Sequence, residues 1–317
     1  MATAAGGAQP EKQKTYEQLV DTLEMLFGKH PGFRPVHAKG VLCEGMFSPA
    51  PAAATLSRAA HLVGGTVPVT VRFSDFTGIP AIPDGDPNAS PRGMALRFQL
   101  ANNKETDIVA HSYNGFPART AEEFLEFLRA LAASGPGAAH PSPLETFLSG
   151  HPQAKQFAEA PKPAPASFAT ESYYGVNAFR FTNREGKSRY GRYRIHPLAG
   201  EQHLETTDAA SRPPNFLFDE LSERLKQGPA RFRLTVQLAE QGDAIDDASQ
   251  TWPESRPQLE LGTLGLTNIL KDSEAKQRSL VFDPTHLVDG IEDSGDPLIQ
   301  ARAKIYSISY QRRNPAK

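Results

Sequence analysis

Apolar positions along the chain recur with two periods. From Thr15 to Phe27, the residues Tyr16, Leu19, Val20, Leu23, Leu26 and Phe27 fall at the spacing of an amphipathic helix. Thr15 with Gln18 reads as its capping box and Gly28 as its stop. Thr66–Ser74 (TVPVTVRFS) and Met94–Leu100 (MALRFQL) alternate instead, as half-buried strands do, and Asp107–Ala110 predicts a shorter strand. Thr120 and Glu123 cap an apolar helix ending near Ala133, and Ser142-Pro143-Leu144-Glu145 opens another. Residues 159–168 (EAPKPAPASF) predict a surface linker. Strands are predicted again over Val176–Thr182, Arg189–Ile195, Arg231–Ala239 and Gln258–Leu264. Helices are predicted over Phe216–Lys226, closed by Gly228, and from Asp296-Pro297 towards Tyr306. No internal repeat appears, and the helices are grouped rather than alternating with strands, which makes the class α+β.

Composition narrows the functional classes. Of 317 residues, 39% are hydrophobic and 22% charged, enough apolar material for a core and contrary to a disordered chain. Lys plus Arg total 34 against 36 Asp plus Glu, so no global basic field exists to hold nucleic acid. Cys43 is the only cysteine, which excludes an intrachain disulfide and a cysteine-based zinc site. No run approaches the length of a membrane span, and the opening MATAAGGAQPEKQK lacks the apolar core of a signal peptide. A cytoplasmic protein is therefore expected. Length alone predicts about two domains.

Most candidate motifs fail on their own chemistry. Asp84-Gly85-Asp86-Pro87-Asn88 starts like a calcium loop, but the places that need Gly and Glu hold Ala89 and Ala95. There is no G-x-S-x-G, Walker loop or G-x-G-x-x-G. None of the nine histidines forms an H-x-x-x-H pair. Two segments stand above these. In Arg34-Pro35-Val36-His37-Ala38-Lys39-Gly40, a histidine beside arginine is kept neutral and able to act as a base. In Arg302-Ala303-Lys304-Ile305-Tyr306, Arg and Tyr four apart share a helical face, and a cation beside a phenol favours an anionic oxygen able to bind ferric iron.

These two segments, with others between them, resemble the haem catalase family, and within it the small catalase-related peroxidases or minicatalases. The similar pieces occur in family order: RPVHAKG (34–40), VTVRFSD (69–75), SPRGMALRF (90–98), TDIVAHSYNGFPARTAEEF (106–124), TWPE (251–254) with LELGTL (259–264), and FDPTHLVDGIEDSGDPLIQARAKIYSISYQRR (282–313). The resemblance implies an antiparallel eight-stranded β-barrel with flanking helices. It further implies one core domain over residues 30–313, after an N-terminal segment and helix (1–29) and before a short tail (314–317).

The resemblance also implies site residues. Tyr306 would be the proximal ligand of the haem iron and Arg302 the cation beside it. His37 would take a proton from peroxide and return it to the leaving oxygen, with Ser74 as its hydrogen-bond partner. Arg34, Arg72 and Arg313 would pair with haem propionates, Phe124 would pack on the distal haem face, and Val36 would narrow the channel. His111 stands where the family carries a second distal residue, an asparagine. Since histidine titrates near neutrality and asparagine does not, weak disproportionation of hydrogen peroxide relative to oxidation of an organic donor is expected.

The implied cofactor is haem b with ferric iron, without NADPH. The implied partners are peroxide and a small organic reductant, with a homodimer as the assembly. A hydroperoxide-rearranging enzyme of the allene oxide synthase kind would carry Thr where Val36 stands, and a haem-storage barrel would have no need of His37 beside Arg34.

Overall fold

The computed structural model describes residues 8–315. Residues 1–7 and 316–317, which hold the start of the expected N-terminal segment and the end of the expected tail, lie outside the described residues. Helix α1 (Ala8–Phe27) leads to β1 (Gly40–Pro49), two single-turn helices, α2 (Ala53–Leu56) and α3 (Ala60–Val63), and the strands β2 (Val67–Ser74), β3 (Gly93–Gln99) and β4 (Glu105–His111). Helices α4 (Ala121–Ala132), α5 (Pro143–Gly150) and α6 (Pro152–Glu159) follow, then β5 (Tyr173–Tyr174), β6 (Phe179–Thr182) and β7 (Ser188–Pro197). After α7 (Thr206–Ser211) and α8 (Phe216–Gln227) come β8 (Ala230–Leu238), β9 (Gln258–Ile269), α9 (Ser273–Ser279), β10 (Ile291–Asp293) and α10 (Pro297–Arg313).

Eight strands close a barrel in the order β7-β5-β4-β3-β2-β1-β9-β8, and β8 pairs back onto β7. Every pairing is antiparallel, and β6 with β10 extends outward from β7. Strand alternation divides the residues into two faces. Val69, Val71 and Phe73 of β2 and Met94, Leu96 and Phe98 of β3 point into the barrel core. Burying each such side chain contributes roughly 1.5–3 kcal/mol. Arg72, Ser74, Gly93 and Ala95 alternate with them, as Val109 does with Ile108 and Ala110 on β4, and all five line a cavity on the outer side of β2, β3 and β4. A second apolar cluster, built on Leu19, Leu23, Leu125, Leu128 and Ala301, packs α1, α4 and α10 together.

Local chemistry explains the element ends. The Thr120 hydroxyl caps α4 by accepting from the Glu123 amide, and Ser142 with Glu145 forms the expected capping box of α5. Asp296 caps α10 ahead of Pro297.

Several boundaries differ from the sequence expectation. Helix α1 begins at Ala8, so Thr15 lies inside it, where its hydroxyl bonds the Glu11 carbonyl and forms no capping box. Strand β1 is not signalled by alternation, because a register shift between Glu44 and Gly45 interrupts it. Gly45 permits that passage, since a Cβ there would stand 2.1 Å from the Gly265 carbonyl oxygen. The strand expected over Val176–Thr182 is confined to β6, β9 runs on to Ile269, and α10 continues past Tyr306 to Arg313. No helix among the described residues is long and apolar enough to cross a membrane.

Candidate active site

The outer wall of the barrel, the 34–37 segment, α1 and α10 enclose an empty space of about 750 Å³, part of it open to solvent. Its lining includes seven of the residues expected from sequence: Arg34, Val36, His37, Arg72, Ser74, Tyr306 and Arg313. The rest of the wall is mainly apolar, with Leu23, Val109, Phe282 and Ile305 among its members.

His37 occupies one wall. Its backbone φ is 55°, the left-handed region that a non-glycine residue adopts only when its surroundings enforce it. The His37 amide donates to the Phe76 carbonyl at 2.7 Å, and the Arg72 guanidinium donates to the His37 carbonyl at 2.8 Å. The ring meets Phe76 edge-on, with centroids 5.6 Å apart, and its Nδ1 lies 3.0 Å from Ser74 Oγ. Gly93 makes this approach possible, because a Cβ there would be 2.5 Å from Ser74 Oγ and 2.8 Å from His37 Nδ1. Desolvation, followed by the charge of Arg72, pushes His37 down to about 3, so the ring is neutral at physiological pH.

Another wall is one stripe of α10, where Tyr306, Ser309 and Arg313 are spaced by three or four residues, with Arg302 one turn before Tyr306. Arg302 Nε donates to the Tyr306 phenol oxygen at 3.0 Å. The guanidinium is itself held, since its Nη1 donates to Asn177 Oδ1 at 2.5 Å. Asn177 Nδ2 donates to Asp296 Oδ2 at 2.7 Å, and Asp296 Oδ1 accepts the Leu298 amide at the start of the same helix. The chain Tyr306–Arg302–Asn177–Asp296 thus fixes the cation beside the phenol. Asn177 and Asp296 were not foreseen as site residues. Asp296 has a sequence signal only as a helix cap, and Asn177 has none.

Three guanidinia converge at one end. Arg34 donates to the Gln277 and Leu280 carbonyls at 2.8 and 2.7 Å, Arg72 Nε to Gln277 Oε1 at 3.0 Å, and Arg313 to the Arg278 and Leu280 carbonyls. Among the described residues none of the three has a carboxylate partner within 4.0 Å. Burial lowers all three from the usual guanidinium range, Arg72 to about 9 and Arg313 to about 10, and neighbouring guanidinia depress Arg34 and Arg72 further. All remain cations at neutral pH. Three buried cations without carboxylate partners are chemically suited to a ligand bearing carboxylates.

Three expected residues stand beside the cavity instead of lining it: Arg302, behind Tyr306, together with His111 and Phe124. His111 pairs in register with Gly93, and its Nδ1 accepts the Tyr113 amide at 3.3 Å. Desolvation, then Arg302 and Lys162, push it down to about 3. The Phe124 ring packs on Phe116 at 5.0 Å and on Phe127 at 6.3 Å.

Comparison with known proteins places the chain in a family. A family model described as Catalase matches residues 18–316. A protein of Mycolicibacterium paratuberculosis named catalase-related peroxidase is 38% identical over 302 residues, which span 94% of this chain and 95% of that one. A Synechococcus elongatus protein of the same name is 34% identical over 94% of this chain and 88% of its own length. In fold, the crystal structure of a fungal catalase superposes with a TM-score of 0.78 at 22% identity. Catalase A from Saccharomyces cerevisiae also superposes with a TM-score of 0.78, at 21% identity. This chain covers 62% and 64% of those two longer chains, and 93% of it takes part in each superposition. By its matched sequence, its barrel and its relatives, the chain belongs to the catalase family.

Proposed function

We propose that the protein is a catalase-type haem peroxidase, which holds haem b and reduces hydrogen peroxide or a small organic hydroperoxide with electrons from an organic donor. The observation that carries this reading is the pairing, in one cavity, of a tyrosine backed by a fixed guanidinium with a neutral histidine backed by a serine. The residues fit haem. Three buried cations without carboxylate partners match its two propionates, the apolar walls match the porphyrin plane, and the Tyr306 phenol oxygen, with Arg302 Nε 3.0 Å away, is of the type that ligates ferric iron.

When bound, haem would supply the redox-active iron that accepts oxidising equivalents from peroxide and passes them to the donor. The chain's own residues do the rest. Arg34, Arg72 and Arg313, which line the cavity, would bind and orient the carboxylates, and Tyr306 would hold the metal. Ser74 Oγ engages His37 Nδ1, leaving the other ring nitrogen to accept a proton from the peroxide. The same nitrogen then returns the proton to the departing oxygen, so that water leaves instead of hydroxide. Because His37 stays neutral down to about pH 3, it is available as a base at every physiological pH. Buried His111 stays neutral at physiological pH, contrary to the titration expected from sequence, so its weakening of disproportionation relative to donor oxidation would come from the hydrogen bonds an imidazole makes in place of the amide of the family pattern and not from its charge.

The test is steady-state oxidation of a neutral phenolic donor by hydrogen peroxide with the haem-loaded protein, alongside oxygen evolution. Donor oxidation should exceed oxygen evolution. Failure to oxidise any donor, with an organic hydroperoxide isomerised instead, would replace this reading with a rearranging enzyme.

A further inference from the structure

Directly behind His37 lies a cluster that the reaction above leaves unused. Asp75, Asp84 and Arg92 have side chains fully removed from solvent, and the Lys39 side chain is 11% exposed. Asp75 Oδ1 accepts from Arg92 Nη1, and Asp84 Oδ1 accepts from Lys39 Nζ. Asp84 Oδ2 accepts the Leu217 amide at 2.7 Å. Asp75 Oδ2 has no hydrogen-bond partner and lies 3.7 Å from Lys39 Nζ. The Asp84 carboxylate lies close enough to raise Asp75, and a proton held on Asp75 would give the orphaned oxygen a hydrogen to donate.

The cluster sits where three parts of the site meet. Asp75 follows Ser74 at the end of β2, Arg92 precedes Gly93 at the start of β3, and Lys39 is two residues from His37. Three backbone bonds already tie the segments together: His37 to Phe76 at 2.7 Å, Ala38 to Thr77 at 3.0 Å, and Asp75 to Lys39 at 3.1 Å. These bonds hold His37 in its left-handed conformation, which by itself costs roughly 1–3 kcal/mol. Arg92 extends the tie to the strand bearing His111, since its amide and carbonyl both bond Ser112. The charged and titratable groups around Asp75 are Lys39 from the His37 loop, Arg72 on its own strand, Asp84, Arg92, and Tyr173 on β5.

We propose that Asp75 is a positioning residue for His37. By bridging Arg92 and Lys39, it holds the His37 main chain and the Ser74 hydroxyl in register for proton transfer. The inference rests on the peroxidase reading for its catalytic consequence but not for its geometry. Burial and the Asp84 carboxylate push Asp75 above the ordinary carboxylate range, against the pull of Arg92 and Lys39, so the proton is retained where ordinary acids have lost theirs.

Two readouts test it with Asp75→Asn. The first is kcat/KM for peroxide per bound haem. A displacement of about 1 Å at a reacting group costs ~100-fold, so a fall of roughly 10- to 100-fold is expected, with haem affinity unchanged. A purely structural role would lower the folded fraction and leave kcat/KM per haem alone, and that result would overturn the proposal. The second uses the apoprotein carrying 15N-labelled histidine, with the His37 ring signals assigned through His37→Gln. Those signals should show an inflection above the ordinary carboxylate range of about 4 in the wild type and none in Asp75→Asn. Identical titrations in both would also overturn it. A wild type inactive with every donor would sink the peroxidase reading alone, and the ring signals would still decide the role of Asp75. If Asp75→Asn does not fold, Asp84→Asn removes the second carboxylate and must shift the wild-type inflection downwards; an unmoved inflection contradicts the proposal.

Discussion

Gly93→Ala isolates the contact on which the distal side of the site depends. An added Cβ would lie 2.5 Å from Ser74 Oγ, 2.8 Å from His37 Nδ1 and 3.0 Å from His37 Cε1. Ordinary contacts of a Cβ lie at 3.4–4 Å, so the serine and imidazole must retreat by roughly 0.5–1 Å. They cannot both move freely, since they are bonded to each other at 3.0 Å and His37 is clamped through its amide. Overpacking of this kind costs about 1–3 kcal/mol in stability. A proton-transfer group displaced by up to about 1 Å loses ~10- to 100-fold in rate. Peroxide kcat/KM per bound haem should fall by that factor, while haem affinity, set by Tyr306 and the guanidinia and not by the Ser74 hydroxyl or the His37 ring, is retained. Gly265→Ala is the control, because nothing lies within 4 Å of a Cβ there and the backbone is not left-handed. If Gly93→Ala matches the wild type in kcat/KM, the His37–Ser74 contact is not the working geometry.

Two further outcomes follow from buried histidines. His61 is 1% exposed, packs on Phe98 at 4.8 Å, leaves Nδ1 without a partner, and is lowered by burial from 6.5 to about 4. The unfolded chain therefore binds a proton that the native state refuses between those values. Stability should drop as pH falls through that window by ~3 kcal/mol. His61→Leu should remove this loss and add ~1 kcal/mol at pH 7 by deleting an orphaned polar group; urea melts at pH 7 and pH 4.5 read both, and equal acid sensitivity would refute it. His111→Asn should raise oxygen evolution from hydrogen peroxide relative to donor oxidation by about 2- to 10-fold, the worth of one hydrogen bond, and an unchanged ratio would show that position 111 does not set the balance.

What the sequence made legible follows from the range of the forces involved. Alternation placed β2, β3 and β8 because each has one face in the barrel core, and the i, i+4 spacing alone paired Arg302 with Tyr306. Strand β1 escaped because Gly45 and the bulge beside it break the alternation. The length of α10 escaped because its later turns present Tyr306, Ser309 and Arg313 to the cavity, leaving no apolar stripe to read. Residue types could not supply the role of Asn177, which lies 125 positions from Arg302 and reaches it only through the fold. The family resemblance named His37, Ser74 and the three arginines together; spacing could not have, since they come from the 34–37 segment, β2 and the end of α10.

The central claim is that Tyr306, backed by Arg302, holds haem in this cavity, and it is tested most directly by titrating haem into apoprotein and following the Soret band. The wild type should bind one haem tightly. Tyr306→Phe keeps the ring and removes only the oxygen. Loss of outer partners alone weakens a metal site by ~10- to 100-fold, so loss of the ligand should weaken haem binding by at least about 100-fold. Equal affinity and an identical spectrum in the two proteins would contradict the assignment of Tyr306 as the ligand and, with it, the account of the site.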